Sequence, residues 1–356
     1  MNLNKYAEDL VSRINPELEQ KILKEWQTFG AEHLTERIRT EEPRPAGPFR
    51  PTKRPPNPGR IEWPQVDLND TLEDIELMVY SQLRFLHSIL EQGGGRYLSI
   101  RPNYGVGILP TMLGAEAYIM PRQMQCLPNV RSMGEDGVRR LLGTISKQEP
   151  GLWEKGYGPR ILRTGEMFLQ ILERYPILKE FVQMENPDLQ GPMDIAELLW
   201  GSDIFYAFYD DPDVVHELLN QITVLIGAVL ERWRQLFPGR YTTYIGCMMV
   251  PGNIVIRDDS AMNLSPEFVE EFIIPYDSEL LSKYGGGIHF CGRGDHFIAA
   301  MSKMKGLYGV NMSQPHLNDM DVILKNTIDK GIVLTVDPSC PIMSEGHREE
   351  YLYING

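Results

Sequence analysis

A histidine and a cysteine two residues apart, in Gly287-Ile288-His289-Phe290-Cys291-Gly292, form the sharpest chemical signal in this 356-residue chain. Side chains at i and i+2 of a β-strand share a face, so His289 and Cys291 should point the same way while Ile288 and Phe290 pack behind them. Imidazole and thiolate together suit a zinc ion, which takes a third protein ligand and, in catalytic sites, keeps a last position open for substrate. Cys340, after Val336-Asp337-Pro338-Ser339, stands at a later strand end and can supply that ligand; Cys247 is a weaker candidate. A hydrogen-bonded histidine beside a small apolar thiol is the competing reading of the same pattern. The other chemical cluster is Arg257-Asp258-Asp259-Ser260, which follows the apolar Asn253-Ile254-Val255-Ile256. An adjacent acid pair can share an arginine, or leave one carboxyl with a raised pKa suited to proton transfer. Arg257, Asp258 and Asp259 are therefore the catalytic candidates, against an alternative in which one aspartate caps a turn and the other is solvated.

These residues sit in a repeating order of helix, glycine break and short apolar strand. Asp70 can cap a helix whose inner face is Leu72, Ile75, Val79, Leu83, Leu86 and Leu90, ended by Gly93-Gly94-Gly95 before the strand-like Tyr97-Leu98-Ser99-Ile100. Asp211-Pro212 and Ser265-Pro266-Glu267 open later helices. Asn253–Ile256, Gly287–Phe290, Leu307–Val310 and Ile332–Val336 then follow at the spacing of strands joined by crossover helices. This alternation implies a parallel sheet, closed as a barrel or open and doubly wound. No G-x-G-x-x-G follows a strand, which weighs against the open dinucleotide-binding form. In both forms the working residues lie at the C-terminal strand ends. N-terminal to this region, residues 1 to about 40 carry helical spacing in Tyr6, Leu10, Ile14, Leu18, Ile22, Trp26 and Phe29. Residues 42–64 turn abruptly to prolines mixed with arginines and a lysine, an extended basic arm. The domains expected are this arm, 1–64, and a barrel, 65–356.

Composition narrows the function. Hydrophobic residues make up 42% and charged residues 24%, the balance of a folded globular chain. A net charge of −14 argues against a nucleic-acid partner, whose binding needs clustered lysine and arginine. No apolar run approaches the roughly 20 residues that span a bilayer, and the N-terminus lacks a signal peptide's apolar core. The four cysteines, Cys126, Cys247, Cys291 and Cys340, are too widely spaced for a disulfide framework and suit a reducing compartment. A cytoplasmic protein without membrane contact is expected.

Several blocks resemble the uroporphyrinogen decarboxylase superfamily. Gly191-Pro192-Met193-Asp194-Ile195-Ala196 and Tyr209-Asp210-Asp211-Pro212-Asp213-Val214-Val215 resemble its third strand and the following helix. Asp258-Asp259, Asn263-Leu264-Ser265-Pro266-Glu267-Phe268 and Pro275-Tyr276 resemble its acidic strand end and LSPE helix, and His289-Phe290-Cys291-Gly292 falls where it places H-x-C-G or H-x-D-G. The match spans roughly residues 70 to 340. It implies a TIM-type (β/α)8 barrel with an N-terminal helical arm. Only 16 residues follow Cys340, so the last strand is expected to be shortened, rebuilt from the arm or from Arg60-Ile61-Glu62-Trp63, or missing.

Within the superfamily the zinc-dependent methyltransferases bind metal through H-x-C and a distant cysteine. They use it to make a substrate thiol a thiolate that takes a methyl group from a corrinoid. By resemblance, His289, Cys291 and Cys340 would be zinc ligands, and a corrinoid carried on a partner protein would be the co-substrate. The metal-free decarboxylases instead hold carboxylates with arginines and stabilise a cation with an aspartate. Their N-terminal R-Q-A-G-R segment is absent; Arg54, Arg60 and Arg101 are present at other spacings. Candidate substrate-binding residues are Arg101, Asn103, Tyr104, Met193 and Asp194. Zinc-assisted methyl transfer is the expectation, with metal-free decarboxylation of a porphyrinogen or other carboxylated substrate, then non-catalytic binding of a corrinoid or its protein, as alternatives. The resemblance also implies a homodimer, with residues 42–64 crossing its interface.

Overall fold

In the computed structural model of the chain, residues 1–34, 51–145, 149–237, 241–242, 244–245, 248–249, 252–336 and 352–354 are described. Eight short strands run parallel in two sheets. One sheet has the order β1 (Ser99–Ile100), β2 (Gln183–Glu185), β3 (Tyr241–Thr242). The other is a consecutive ladder of β4 (Ile254–Arg257), β5 (Gly286–Phe290), β6 (Leu307–Met312), β7 (Val333–Val336) and β8 (Leu352–Ile354). Two antiparallel ribbons, Glu116–Tyr118 with Asn129–Arg131 and Tyr244–Ile245 with Met248–Met249, lie outside these sheets.

Of the expected (β/α)8 barrel with an irregular last strand, the described residues show an α/β arrangement of two parallel sheets with helices around them, and among these residues no ladder joins the two sheets. Other contacts bridge them. The segment after β2 runs beside β4, with Asn186 Nδ2 donating to the Asn253 carbonyl at 2.9 Å and the Gly191 amide to the Arg257 carbonyl at 2.7 Å. Gly191 is required there: a Cβ would lie 2.6 Å from the Arg257 oxygen and 2.5 Å from an Asp258 carboxylate oxygen. The last strand is present but only three residues long, paired with β7 and not rebuilt from the arm.

The helices begin where the sequence supplies caps. α1 (Leu3–Arg13) and α2 (Pro16–Leu34) form the N-terminal arm. The helix expected from Asp70 is instead two: Leu68–Glu73, capped by Asp67, and α3 (Ile75–Gln92), whose first amides are received by Asp74. α4 (Gly158–Arg174), α5 (Pro192–Trp200), α6 (Pro212–Leu236), α7 (Pro266–Phe272) and α8 (Ile274–Tyr284) follow, each with proline in its first turn. α6 is the one described helix long and apolar enough to cross a membrane by length and composition, a possibility the sequence count missed. It packs against α5 and α8, burying Leu218, Leu219, Ile222, Ile226, Val229 and Trp233, as a core helix does.

The described part of the basic arm lies on its own chain. Arg54 makes a two-pronged pair with Glu19, Nε to Oε1 at 2.7 Å and Nη2 to Oε2 at 2.6 Å, and its backbone bridges to Gly94. Arg60 donates its amide to Asp9, and Trp63 stacks on His87 with centroids 4.6 Å apart.

Candidate metal centre

Strand alternation on β5 buries Ile288 and Phe290 completely and leaves His289 and Cys291 partly open. In the ladder His289 stands between Arg257 of β4 and Asn311 of β6. Cys291 Sγ is 3.5 Å from His289 Nε2, and Asp259 Oδ1 is 3.6 Å from the same nitrogen. One ligand atom from each of Asp259, His289 and Cys291 lies within 4.8 Å of the others. A tetrahedral zinc with bonds of about 2.0–2.3 Å separates its ligands by roughly 3.3–3.8 Å. The donor set therefore fits zinc, with the nitrogen–sulfur and nitrogen–oxygen separations already in that range.

Each donor is held from behind. His289 Nδ1 is 2.6 Å from Asn311 Oδ1, Cys291 Sγ is 3.5 Å from Ser313 Oγ, and the Cys291 amide donates to Asp259 Oδ1 at 2.7 Å. Asp259 opens a short turn after β4 that is fastened by Asp194, which accepts the amides of Asp259 (3.0 Å) and Ser260 (2.8 Å) and the Ser260 hydroxyl. The loop after Cys291 is stitched to the loop after β6. Gly292 donates to Gln314 Oε1, and the amides of Gly294 and Asp295 donate to Asn318 Oδ1. Burial lowers the His289 pKa, which favours the neutral ring a metal needs, while burial raises the Cys291 thiol in the metal-free protein.

A cationic pair stands beside these donors. Arg257 Nη1 is 2.6 Å from Asp188 Oδ2 and Arg101 Nη1 is 3.8 Å from the same oxygen. Burial alone would raise Asp188, but the two guanidiniums outweigh it and hold the carboxyl below its ordinary value. Nearby, burial pushes Glu185 up to about 7. Two arginines thus face one firmly ionised carboxylate.

The remaining expected site residues are dispersed. Asp258 is fully buried and turned, like Ile254 and Ile256 before it, toward the helices, where its carboxyl meets that of Asp277. It does not reach the mouth, because one residue along a strand changes the face. Tyr104 is buried with its hydroxyl 2.9 Å from Thr164, and Met193 is buried in the core. Asn103 accepts from Arg101 Nη2 at 3.1 Å, so it stays with the arginine pair. Cys340 and Cys247 lie outside the described residues, and the third donor found with His289 and Cys291 is Asp259. Cys126 is exposed elsewhere, and His296 is engaged at the Leu264 carbonyl. Sequence reasoning missed Asp188, Asn311 and Ser313; the strand-end rule could have suggested the last two.

No family model and no curated protein matches the chain. Among solved structures it is similar to a methyltransferase from Methanosarcina mazei, with a TM-score of 0.56 and 15% identity over 86% of this chain and 83% of that chain. At that identity the likeness concerns the fold.

Proposed function

We propose that the chain is a zinc-assisted methyltransferase that moves a methyl group from a corrinoid, carried by a partner protein, to a substrate thiol. The observation that carries this reading is the convergence of Asp259, His289 and Cys291 within 4.8 Å. A methyltransferase of similar fold supports it. Zinc held by three protein ligands, Asp259, His289 and Cys291, or with Cys340 in place of Asp259, would leave a fourth position for a thiol and favour its ionised form, a sulfur nucleophile at neutral pH.

The chain's own groups prepare that site. Asp194 fixes the turn that carries Asp259, and the paired loops after β5 and β6 keep the donors from reorienting. Arg257 and Arg101 offer positive charge beside the donors, suited to anchoring an anionic part of a substrate. The metal-free decarboxylase reading is weaker because Asp258, one of its two cation-stabilising candidates, is enclosed among helices.

The test is metal analysis of protein purified without chelator. About one zinc per chain is expected, lost in His289→Ala and Cys291→Ala and weakened in Asp259→Ala. Metal-free protein that binds a polycarboxylate would put the decarboxylase reading in first place.

A further inference from the structure

Resting on the zinc reading, we infer that Asn311 and Ser313, an N-x-S pair on and just beyond β6, are the positioning residues of the site, and that Asn311 fixes which nitrogen of His289 is free to bind. The two pairs share one register: Asn311 is the ladder partner of His289, and Ser313, two residues on, reaches Cys291. An H-x-C strand is thus braced by an N-x-S strand through matching two-residue steps.

The chemistry of Asn311 follows from its second contact. Its Nδ2 donates to the Thr335 carbonyl of β7 at 3.4 Å. A carbonyl oxygen can only accept, so the amide nitrogen must face Thr335 and the amide oxygen must face His289. That oxygen, 2.6 Å from Nδ1, requires a hydrogen on Nδ1. Nε2 is then the unprotonated nitrogen, and it is the one facing Cys291 and Asp259. The reverse amide orientation would set nitrogen against Nδ1, place the hydrogen on Nε2 and block the ligand atom. The direction of one backbone carbonyl on β7 is therefore relayed across two strands to the metal-binding nitrogen. Ser313 does the parallel service for sulfur, since its hydroxyl can donate to Cys291 Sγ once the thiol is ionised.

Nitrogen-15 NMR of the metal-free full chain reads the ring tautomer directly, without zinc and without activity. His289 is expected in the Nδ1–H form in wild type and in Asn311→Asp, which keeps an acceptor oxygen. In Asn311→Leu it should shift toward the Nε2–H form. Zinc affinity, measured by competition with a chelator, should fall about 10–100-fold in Asn311→Leu and recover in Asn311→Asp. An Nε2–H ring in the wild-type protein would overturn the assignment whether or not the variants fold, as would an unchanged tautomer in folded Asn311→Leu. An Nδ1–H ring that depends on Asn311, in a protein that takes up no zinc, would uphold the relay while removing the metal reading on which its purpose rests.

Discussion

Asp258 and Asp277 bring two carboxyls together in full burial between β4 and α8, and none of their four oxygens receives a protein hydrogen-bond donor among the described residues. One proton held between them answers this. Burial is the largest cause pushing both upward, Asp277 to about 7, and the like charge of each neighbour adds to Asp258. The sign for stability follows. Between about pH 4 and pH 7 the folded chain keeps a proton that the unfolded chain releases, so this pair's contribution falls as pH rises through that window and stays reduced above it. Asp277→Asn removes the carboxyl that titrates in that window and leaves Asp258 as the one acid of the pair. Relative to wild type it should gain roughly 2–3 kcal/mol between pH 5 and pH 8 in urea unfolding, and parallel stabilities across that range would refute the shared proton. Alternation along Ile254, Ile256 and Asp258 was readable in the sequence and separates Asp258 from Asp259, yet an acid pair after a strand invites treating both as exposed. The common direction of His289 and Cys291 is legible from the same two-residue period. Asn311 was not singled out: its place at a strand end is a general hint, but its meaning lies in a cross-strand partner 22 residues away.

Among the elements, β5 carries the site only because its first residue lets it close on β4. A Cβ at Gly286 would sit 1.8 Å from the Ile254 carbonyl oxygen, a backbone atom that cannot move without breaking the ladder. Gly286→Ala is therefore expected to cost at least about 3 kcal/mol and to loosen zinc binding in whatever remains folded, because the strand that presents His289 would shift. Thermal unfolding together with a zinc titration checks this, and wild-type values in both would show that β4 and β5 tolerate separation. The strands from Asn253 to Val336 were legible to within a residue or two, since short apolar runs bounded by glycine and proline have few other solutions. β2 was not singled out, because Gln183-Met184-Glu185 has one apolar residue and is recognised as a strand only through its parallel partners. The split of the helix near Asp70 was hidden for a related reason: Asp67, Asp70 and Asp74 are all competent caps, and tertiary packing selects Asp67 and Asp74.

At the scale of the whole molecule, α2 spans the place where the two sheets come together without a ladder. Ile22, Leu23 and Trp26 pack with Tyr97, just before β1, and Val333 of β7, and Trp26 Nε1 donates to the Gly95 carbonyl at 2.8 Å. The arm then returns over α1 and α3, tied by the Arg54–Glu19 pair, whose side chains are 3% and 4% exposed, and by Arg13, which reaches the Asn57 carbonyl, Asp9 and His87. The described part of the arm, expected from sequence to cross a dimer interface, makes these contacts within its own chain. Its prolines made it legible as extended, but composition carries no information about which surface an extended segment covers. Removing residues 1–64 should therefore leave Tyr97 and Val333 uncovered and give a chain that unfolds at a markedly lower temperature or aggregates. Two milder variants keep the prediction testable if that truncated chain is insoluble. Trp26→Ala should cost about 3–5 kcal/mol through the cavity it leaves between the sheets, and Arg54→Ala a similar amount by stranding Glu19 as a buried unpaired charge. Light scattering beside each melting curve separates the two roles of the arm. Lower stability with the wild-type oligomeric state is the expected outcome, whereas a fully stable protein that merely changes from dimer to monomer would return the arm to the subunit interface.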